Sequence, residues 1–354
     1  METALAALKS ALRHGADHLA LTFFGGEPLL QADNLFQILT AARRLERSTR
    51  VFTTAKVSTN GLLLTKDIVD RAGELGLFLS LSCDGVAEAQ DACRVTAGGQ
   101  GSSAQVEKAL DLLVAAKRPF SVYSVVTPQT AARLAESTEY LWSRGARILI
   151  QAIDYAAPWT PYDLAELRRQ FQAMGAFYER KLAEDANFHL EPFDSRIAQV
   201  TRSGDYQSCS PGNRQITVAP DGTLYGCVEM FHRRIKPLGD AWKWIAAPST
   251  PGAGAGSCGH HDASSLPAEC QSCGVNDRCN NHCECVNLRG TGKAGIPPEI
   301  LCQTEQDLIQ LSDTVARRLY KRKNGEFLRR HYSQSYHLLS SVERWIETME
   351  PFQV

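Results

Sequence analysis

Seven cysteines in the C-terminal half of the chain combine a residue type and a spacing that could do chemistry. They are Cys209, Cys227, Cys270, Cys273, Cys279, Cys283 and Cys302. Thiolates bind soft metals, so this set indicates zinc or iron–sulfur clusters. Two 4Fe–4S clusters take up to eight ligands, so seven cysteines leave one iron with an open or non-cysteine position. The pattern therefore favours redox chemistry.

Zinc and disulfides are the alternatives for these cysteines. The spacings of two, five and three residues from Cys270 to Cys283 also fit a structural zinc site. Disulfides are disfavoured, because eleven is an odd number of cysteines and the first residues lack the regions of a secretory signal. Spacing alone leaves clusters and zinc open.

The bulk composition is that of a globular protein. A length of 354 residues allows two domains, and 44% apolar and 22% charged residues are ordinary values. A net charge of −1 gives no argument for a nucleic-acid partner, and no apolar run approaches the length of a membrane span. We expect a cytoplasmic protein with neither a nucleic-acid nor a membrane partner.

Short apolar runs alternate with amphipathic stretches over the first half of the chain. This order predicts βα units around a parallel sheet whose strands are covered on both faces. The predicted strands are 18–24, 51–58, 77–82, 120–126 and 147–153. The predicted helices are 2–14, 34–47, 65–75, 103–117, 130–143 and 161–186.

The alternation of apolar runs and amphipathic stretches ends at about residue 204. A turn at 219–222 predicts a hairpin of strands 215–218 and 224–227. Residues 247–266 are rich in Pro, Gly, Ala and Ser, and we expect a solvated loop there rather than a metal site at Cys258, His260 and His261. A last helix is predicted at 304–323, and the basic segment 321–330 should be helical with an exposed face.

Three of the predicted strands end in short polar or glycine-rich segments, at 24–28, 58–61 and 82–85. Ligands of parallel βα folds bind at the carboxyl ends of strands. We therefore expect Glu27, Asn60 and Asp84 to point polar atoms into one mouth. Each segment alone is also typical of ordinary turn and cap residues. Their repetition at successive strand ends favours a site.

With these motifs the chain resembles radical SAM enzymes that carry a C-terminal SPASM domain, a group of peptide and protein maturases. The family's Gly-Gly-Glu-Pro matches 25–28, and its Ser-x-Asp-Gly segment matches 82–85, followed by Asp91 and Arg94; Gln90 replaces a family histidine. Residues 58–61 match the segment after the next family strand. The SPASM cysteine pattern is matched in full by the seven cysteines above together with Gly222. The likeness covers residues 18 to about 305.

The resemblance implies a fold and a set of cofactors. The fold is α/β, a partial (β/α)6-type TIM barrel lacking its first strand over 1–203, a cysteine-rich SPASM iron–sulfur domain over 204–305, and a helical tail over 306–354. The cofactors are S-adenosyl-L-methionine (SAM) and two auxiliary 4Fe–4S clusters. The first cluster would be held by Cys209, Cys227 and Cys283, and the second by Cys270, Cys273, Cys279 and Cys302. The implied SAM-pocket residues are Gly25, Gly26, Glu27, Pro28, Ser58, Asn60, Ser82, Asp84 and Arg94.

The resemblance also implies an oxidoreductase-type maturase that modifies a peptide or protein through a 5′-deoxyadenosyl radical. Its partners would be that substrate and an electron donor such as a flavodoxin or ferredoxin. Sulfatase maturases carry an aspartate base directly after the cysteine that matches Cys227. Here Val228 and then Glu229 follow, so Glu229 is a candidate displaced base or a structural carboxylate, and we do not expect a sulfatase maturase.

The chain departs from the family at its N-terminus. Family members carry Cys-x3-Cys-x2-Cys after the first strand, but no cysteine precedes Cys83 here. We expect a start placed downstream of the true one, because the edge of strand 18–24 would otherwise be unpaired. As it stands, the chain should not cleave SAM. The alternatives are a non-catalytic iron–sulfur paralogue for electron transfer and a zinc-stabilised peptide-binding scaffold.

Four cysteines fall outside the family pattern. We expect Cys285 to be a spare thiol or an alternative ligand. Cys83 and Cys93 should be small buried hydrophobic residues, as free cysteines commonly are. Cys258 lies in the predicted loop.

Overall fold

The computed structural model describes most of the chain. The described residues are 1–13, 18–49, 51–184, 188–201, 215–233, 237–243, 266–280, 283–293 and 295–332. Cys209, Cys258, His260 and His261 lie outside them, as does nearly all of the predicted loop at 247–266. Within the described residues, no helix combines the length and the apolarity that crossing a membrane requires.

A six-stranded sheet with strands in chain order forms the larger part of the fold. Its strands are β1 His18–Phe23, β2 Phe52–Thr59, β3 Leu77–Ser82, β4 Phe120–Val126, β5 Ile148–Ile153 and β6 His189–Leu190. The pairings from β2 through β6 are parallel. The helices along this part of the chain are α1 Glu2–Arg13, α2 Ala32–Thr49, α3 Lys66–Glu74, α4 Ala87–Cys93, α5 Ser103–Ala115, α6 Leu134–Ser143, α7 Pro161–Glu184 and α8 Phe193–Thr201. The α/β prediction is confirmed.

The five strands predicted from the sequence are present within one residue at each end. Strand β6 and helix α4 were not predicted. Strand β6 has two residues, too few to show an alternating pattern, and it is defined by its pairing of Ile148 with His189. Helix α4 has seven residues and lies inside the segment that was read as a motif. Short elements depend on tertiary contacts rather than on periodicity.

One face of the sheet forms the apolar core. The side chains of Val57, Leu79, Leu81, Val122 and Leu149 are all almost completely buried. The parallel register places Leu79 beside Val57 and Leu81 beside Val122, so these side chains share one face. Burying such a row removes most of its apolar area from water, at roughly 1.5–3 kcal/mol for each large side chain.

The cysteine-rich part of the chain is built on a small antiparallel sheet. Its strands are β7 Thr217–Val218, β8 Thr223–Tyr225 and β9 Gly239–Asp240, and its helices are α9 Val228–Arg233, α10 Ala268–Gln271 and α11 Glu284–Thr291. The predicted hairpin is confirmed, with Val218 paired to Leu224. Gly222 closes the turn at φ +91°, and a side chain there would lie 2.0 Å from the ring of Trp242.

Two compact units arise from this arrangement of elements. One comprises 1–20, 33–53 and 205–302, and the other 21–32, 54–204 and 303–354. Helices α12 Glu299–Lys321 and α13 Gly325–Tyr332 complete the described chain. The domain boundaries proposed from the sequence, at 203 and 305, stay predictions.

Helix α13 corrects the expectation of an exposed basic face at 321–330. Lys321 and Lys323 are exposed, but Arg330 is only 1% exposed. Its guanidinium Nη1 lies 3.1 Å from Oδ1 of the fully buried Asp194. The hydroxyl of Tyr178 donates to the same oxygen at 2.6 Å, and Nδ1 of His189 lies 3.3 Å from Oδ2. A run of basic residues predicts solvent exposure, and only the packing of α13 shows that Arg330 neutralises a buried carboxylate.

Candidate functional site

The sheet face that carries Leu81 is covered by helix α5. A side chain at Gly61 would meet both Leu81 Cδ1 and Ala109 Cβ within 3 Å, so strand β3 and helix α5 meet at this point. Ser80 and Ser82 alternate with Leu81 along β3 and therefore point to the opposite face. The same face carries Lys56 and Ser58 of β2 and Tyr123 of β4, because their register partners are Phe78, Ser80 and Ser82.

This second face is only partly buried. Ser80 and Ser121 are fully buried and share a hydrogen bond of 2.9 Å. Towards the carboxyl ends, Ser58, Ser82 and Tyr123 are only half-buried. We call the half-buried residues Lys56, Ser58, Ser82, Tyr123 and Ile150 the open face. Its two serines lie near the carboxyl ends of β2 and β3, where ligands bind in parallel βα folds.

Two titratable groups on the open face were not singled out from the sequence. Burial lowers the pKa of the Lys56 ammonium below its ordinary value and raises the pKa of the Tyr123 hydroxyl. The signal that could have found Lys56 is a single charged residue within a strand, at 52–59, whose other residues are all uncharged. Perturbed pKa values are typical of functional groups, although structural lysines also show them.

Glu27 joins the loop after β1 to the end of β2. Its Oε1 accepts hydrogen bonds from the backbone N–H of Leu29 at 3.0 Å and from the hydroxyl of Thr59 at 2.9 Å. Its Oε2 accepts from the backbone N–H of Asn60 at 2.7 Å. Thr59 in turn accepts from the N–H of Gly61 at 3.1 Å. The carboxylate therefore fixes two of the strand-end motifs to each other.

The two glycines that precede Glu27 leave room beside the backbone. A side chain at Gly25 or Gly26 would meet no heavy atom within 4 Å. Crowding by the described residues therefore does not explain the glycines, whereas close approach of a ligand to the backbone does. This open space is compatible with the SAM pocket that the resemblance implies for the segment.

Asp84 and Arg94 form a bidentate ion pair behind the third motif. Nε and Nη2 of Arg94 donate to the two carboxylate oxygens at 2.7 and 3.0 Å, and the N–H of Val125 also donates to Asp84 at 2.8 Å. Burial opposes the charge on Arg94, but its bonds to Asp84 outweigh this effect and raise its pKa. Gln90, in the place of the family histidine, accepts from the N–H of Asp84 at 2.8 Å and donates to Ser102 at 2.8 Å.

These bonds correct one expectation. Glu27 and Asp84 were predicted to point their oxygens into the mouth, but both carboxylates are engaged within the fold. The side-chain oxygen of Asn60 accepts from the N–H of Leu62 at 2.9 Å, as in an Asx turn. Asp91 likewise accepts from the N–H and hydroxyl of Ser103 at the start of α5. The side chains of Glu27, Asn60, Asp84 and Asp91 therefore hold the loops in shape, and the half-buried serines Ser58 and Ser82 lie on the open face.

Described cysteines of the C-terminal half make contacts in two places, and the ligand grouping implied by the resemblance stays a prediction. Cys227 and Cys285 are buried with their Sγ atoms 3.5 Å apart, and Cys283 packs against the same apolar cluster. Elsewhere, burial raises the pKa of Cys302, and the neighbouring thiols of Cys270 and Cys273 raise it further.

These groups are collections of donors rather than finished metal sites. Within the described ranges, no three His, Cys, Asp or Glu side chains already stand close enough to hold a metal ion. Cys279 is half-buried. The donor chemistry, thiols gathered in apolar surroundings, fits iron–sulfur or zinc ligation.

Three further candidates have defined positions. Glu229 lies in the first turn of α9, and its Oε1 is 3.8 Å from Nη1 of Arg289. This ion pair supports a structural role for the carboxylate, and its role as a base stays a prediction. Cys83 is buried as predicted, and burial raises its pKa to about 11. The prediction for Cys93 was wrong: the residue is exposed, with its Sγ 3.4 Å from the hydroxyl of Thr127.

Known proteins resemble the chain in sequence and in fold. A cysteine-type anaerobic sulfatase-maturating enzyme of Clostridium perfringens is 24% identical over 233 residues, which cover 62% of this chain and 62% of the relative. The chain therefore spans less than two thirds of that relative's length. The structure of native anSMEcpe with bound AdoMet superimposes with a TM-score of 0.74 at 20% identity, covering 92% of this chain and 89% of that one. The Streptococcus suis protein SuiB bound to precursor peptide SuiA gives 0.57 at 18% identity, covering 84% and 67%.

A family model agrees with these likenesses. Residues 1–141 match the model described as the radical SAM superfamily, a range that contains all three strand-end motifs. The α/β sheet with strands in chain order is the fold of the matched structures. The chain therefore contains a region, residues 1–141, that matches the radical SAM superfamily.

Proposed function

We propose that this chain belongs to a radical SAM maturase that modifies a peptide or protein substrate, with two auxiliary 4Fe–4S clusters. The observation that carries the proposal is the open face, whose Ser58 and Ser82 belong to two of the three strand-end motifs. The superfamily match supports the cofactor, and solved structures of similar fold were determined with peptides bound. In such enzymes a reduced cluster and SAM together supply a 5′-deoxyadenosyl radical that abstracts a substrate hydrogen.

The chain's own residues would bind and orient the cofactor. Gly25 and Gly26 offer unobstructed backbone groups to the SAM amino group, and Glu27 holds that loop against the end of β2. The hydroxyls of Ser58 and Ser82 lie on the open face, within reach of the polar parts of a ligand there. Arg94 stabilises the third loop through its two hydrogen bonds to Asp84, so we assign it a structural role rather than direct ligand binding.

Cleavage of SAM requires ligands that this sequence does not contain. No cysteine precedes Cys83, so the family's Cys-x3-Cys-x2-Cys is not among these residues. We propose that the radical step belongs to a protein that includes this segment, and that the chain as printed binds only the auxiliary clusters. A donor such as a flavodoxin or ferredoxin would supply the electron, and the absence of a nucleic-acid or membrane partner and a cytoplasmic location stay proposals.

The first experiment loads the chain with iron and sulfide under anaerobic conditions and measures bound metal. Two auxiliary clusters predict a brown protein with about eight irons per chain and no zinc. A colourless protein that retains zinc would instead support the structural scaffold. This measurement separates the cluster proposal from its main alternative without requiring turnover.

The second experiment tests the radical chemistry. The chain as printed and a longer protein with the in-frame coding sequence upstream of Met1 are each incubated with dithionite and SAM, and 5′-deoxyadenosine is measured by mass spectrometry. We expect product only from a longer protein that contains Cys-x3-Cys-x2-Cys. Product formation by the printed chain would refute our account of its ligands. A longer protein with the motif, loaded with its clusters and a suitable peptide but yielding none, would refute the proposed function.

A further inference from the structure

The first group of cysteines contains one thiol more than the family pattern supplies. The pattern assigns Cys227 and Cys283 to this group, together with Cys209, which lies outside the described residues. Cys285 is not part of the pattern, yet its Sγ lies 3.5 Å from Sγ of Cys227. Both side chains are more than nine-tenths buried.

Local structure brings Cys283 and Cys285 to the same place. Cys283 is the residue that precedes α11, and Cys285 lies in the first turn of that helix. Tyr225 and Met230 enclose the thiols in one apolar cluster, against which Cys283 also packs. The N–H groups of a helix's first turn favour negative charge, so this position suits thiolates as well as thiols.

Counting the cysteine ligands shows that the first cluster lacks a fourth cysteine in the family pattern. A 4Fe–4S cluster is held by four cysteine thiolates when it is fully ligated. The second group has four cysteines in the family pattern, but the first has only three, so one iron lacks a cysteine. Cys83 and Cys93 belong to the other compact unit, and Glu229 faces Arg289. Among the described residues, Cys285 is the thiol that already touches a member of the first group.

We infer that Cys285 is the cysteine ligand that the family pattern leaves open in the first auxiliary cluster, beside Cys227 and Cys283. The inference rests on the proposed function, since it assumes that this site holds a 4Fe–4S cluster. The thiols of Cys227 and Cys285 are in contact here, so their side chains would separate around the metal by rotation about χ1. Full ligation by cysteine leaves no iron position for a substrate atom, which limits this cluster to electron transfer.

The alternative is that Cys285 is only a small buried hydrophobic residue. The two roles predict opposite orders for two substitutions. If Cys285 fills apolar space, Cys285→Val should preserve the site better than Cys285→Ser, because valine keeps an apolar side chain. If Cys285 is a ligand, Cys285→Ser should preserve more of the cluster, because its oxygen can still bind iron and the valine side chain cannot.

The experiment compares the wild-type chain with Cys285→Val and Cys285→Ser after anaerobic loading. Iron and sulfide are counted, and the reduced proteins are examined by EPR and Mössbauer spectroscopy. Cys93→Ser is the control, because Cys93 is exposed and lies outside both groups. We expect Cys285→Val to lose up to about half of the iron, from about eight towards about four per chain, and to change the spectrum of any first cluster that remains. Cys285→Ser should retain more iron than Cys285→Val, with an altered spectrum for one cluster and an unchanged spectrum for the other.

The outcomes separate this inference from the proposed function. If wild-type protein binds no cluster, the proposed function fails. If wild-type protein holds two clusters and Cys285→Val keeps both its iron and its spectra, only the role of Cys285 is wrong. More iron in Cys285→Val than in Cys285→Ser would likewise overturn the inference in favour of packing. Circular dichroism of each variant identifies loss of iron that comes from unfolding. Which of the two variants retains more iron then distinguishes a ligand from a packing residue.

Discussion

Replacing Glu27 with glutamine tests whether this carboxylate holds two strand-end loops together. The substitution Glu27→Gln keeps the size of the side chain but replaces one oxygen with an NH2 group. The carboxylate accepts three hydrogen bonds, two at Oε1 and one at Oε2 from the N–H of Asn60. An amide can keep the pair at its oxygen, but its NH2 then faces the N–H of Asn60, and two donors cannot bond to each other.

The magnitude follows from the bond that is lost. A hydrogen bond to a charged group contributes about 1.5–3 kcal/mol. The free energy of local opening at Asn60 should fall by about this amount. Since 1.4 kcal/mol corresponds to a factor of ten, the amide of Asn60 should exchange about 10- to 150-fold faster.

Hydrogen–deuterium exchange read by mass spectrometry measures this effect in peptides that cover 25–31 and 58–64. Both peptides should exchange faster in Glu27→Gln, because the carboxylate contacts both loops. Peptides from α7, which does not contact Glu27 through any of these bonds, should change much less. Glu88→Gln is the matched control, because Glu88 is an exposed carboxylate on α4.

Two results would refute this reasoning. Unchanged exchange at 58–64 would mean that Glu27 does not hold the end of β2. Equal acceleration in every peptide would mean that the substitution lowers global stability and that the carboxylate has no special relation to the two loops.

Three further substitutions test the buried ion pairs of the same unit. Arg94→Lys loses the bidentate bond to Asp84, and we expect a loss of about 2–4 kcal/mol in unfolding free energy, measured by urea denaturation. Arg330→Met leaves the carboxylate of Asp194 buried without its guanidinium, which should cost about 3–5 kcal/mol in the same assay. Burial opposes protonation of His189, but Asp194 and nearby acidic groups outweigh it and raise the histidine pKa. Its contribution to stability is therefore full below about pH 6.5 and is lost as the pH rises through the raised pKa, so His189→Gln should flatten this part of the stability–pH curve.

Each of these variants has a control with the same chemical change at an exposed site. Arg133→Lys alters an exposed helical pair and should stay within about 0.5 kcal/mol of wild type. Arg329→Met removes the half-exposed neighbour of Arg330, and His18→Gln removes an exposed histidine. If a control loses as much stability as its partner, or if His189→Gln leaves the pH dependence unchanged, burial of the pair is not the cause.

Part of the site could be read directly from residue order. The loops at 25–28, 58–61 and 82–85 were recognised because glycine and short polar residues follow apolar runs, and the structure places all three at strand ends. The function of their side chains was not readable. Glu27 and Asp84 have oxygens that could serve a ligand or the fold, and only the positions of Thr59, Asn60 and Arg94 show that the fold uses them.

Lys56 and Cys285 are residues whose importance could not be predicted from the sequence. Neither belongs to a motif, and their interest comes from what surrounds them. Lys56 lies on an open sheet face because strand register places it in line with Ser58, and Cys285 lies against Cys227, which is 58 residues away in the chain. Contacts at such separations are not encoded in any local pattern.

The sequence by itself determined the α/β class, the five longer strands and the hairpin around Gly222, because these follow from local periodicity and turn chemistry. Tertiary structure alone decided which charged groups are buried and paired. The burial of Arg330 against Asp194 and the approach of Cys285 to Cys227 depend on how distant elements pack, since burial and pairing are properties of the three-dimensional neighbourhood and not of the residue.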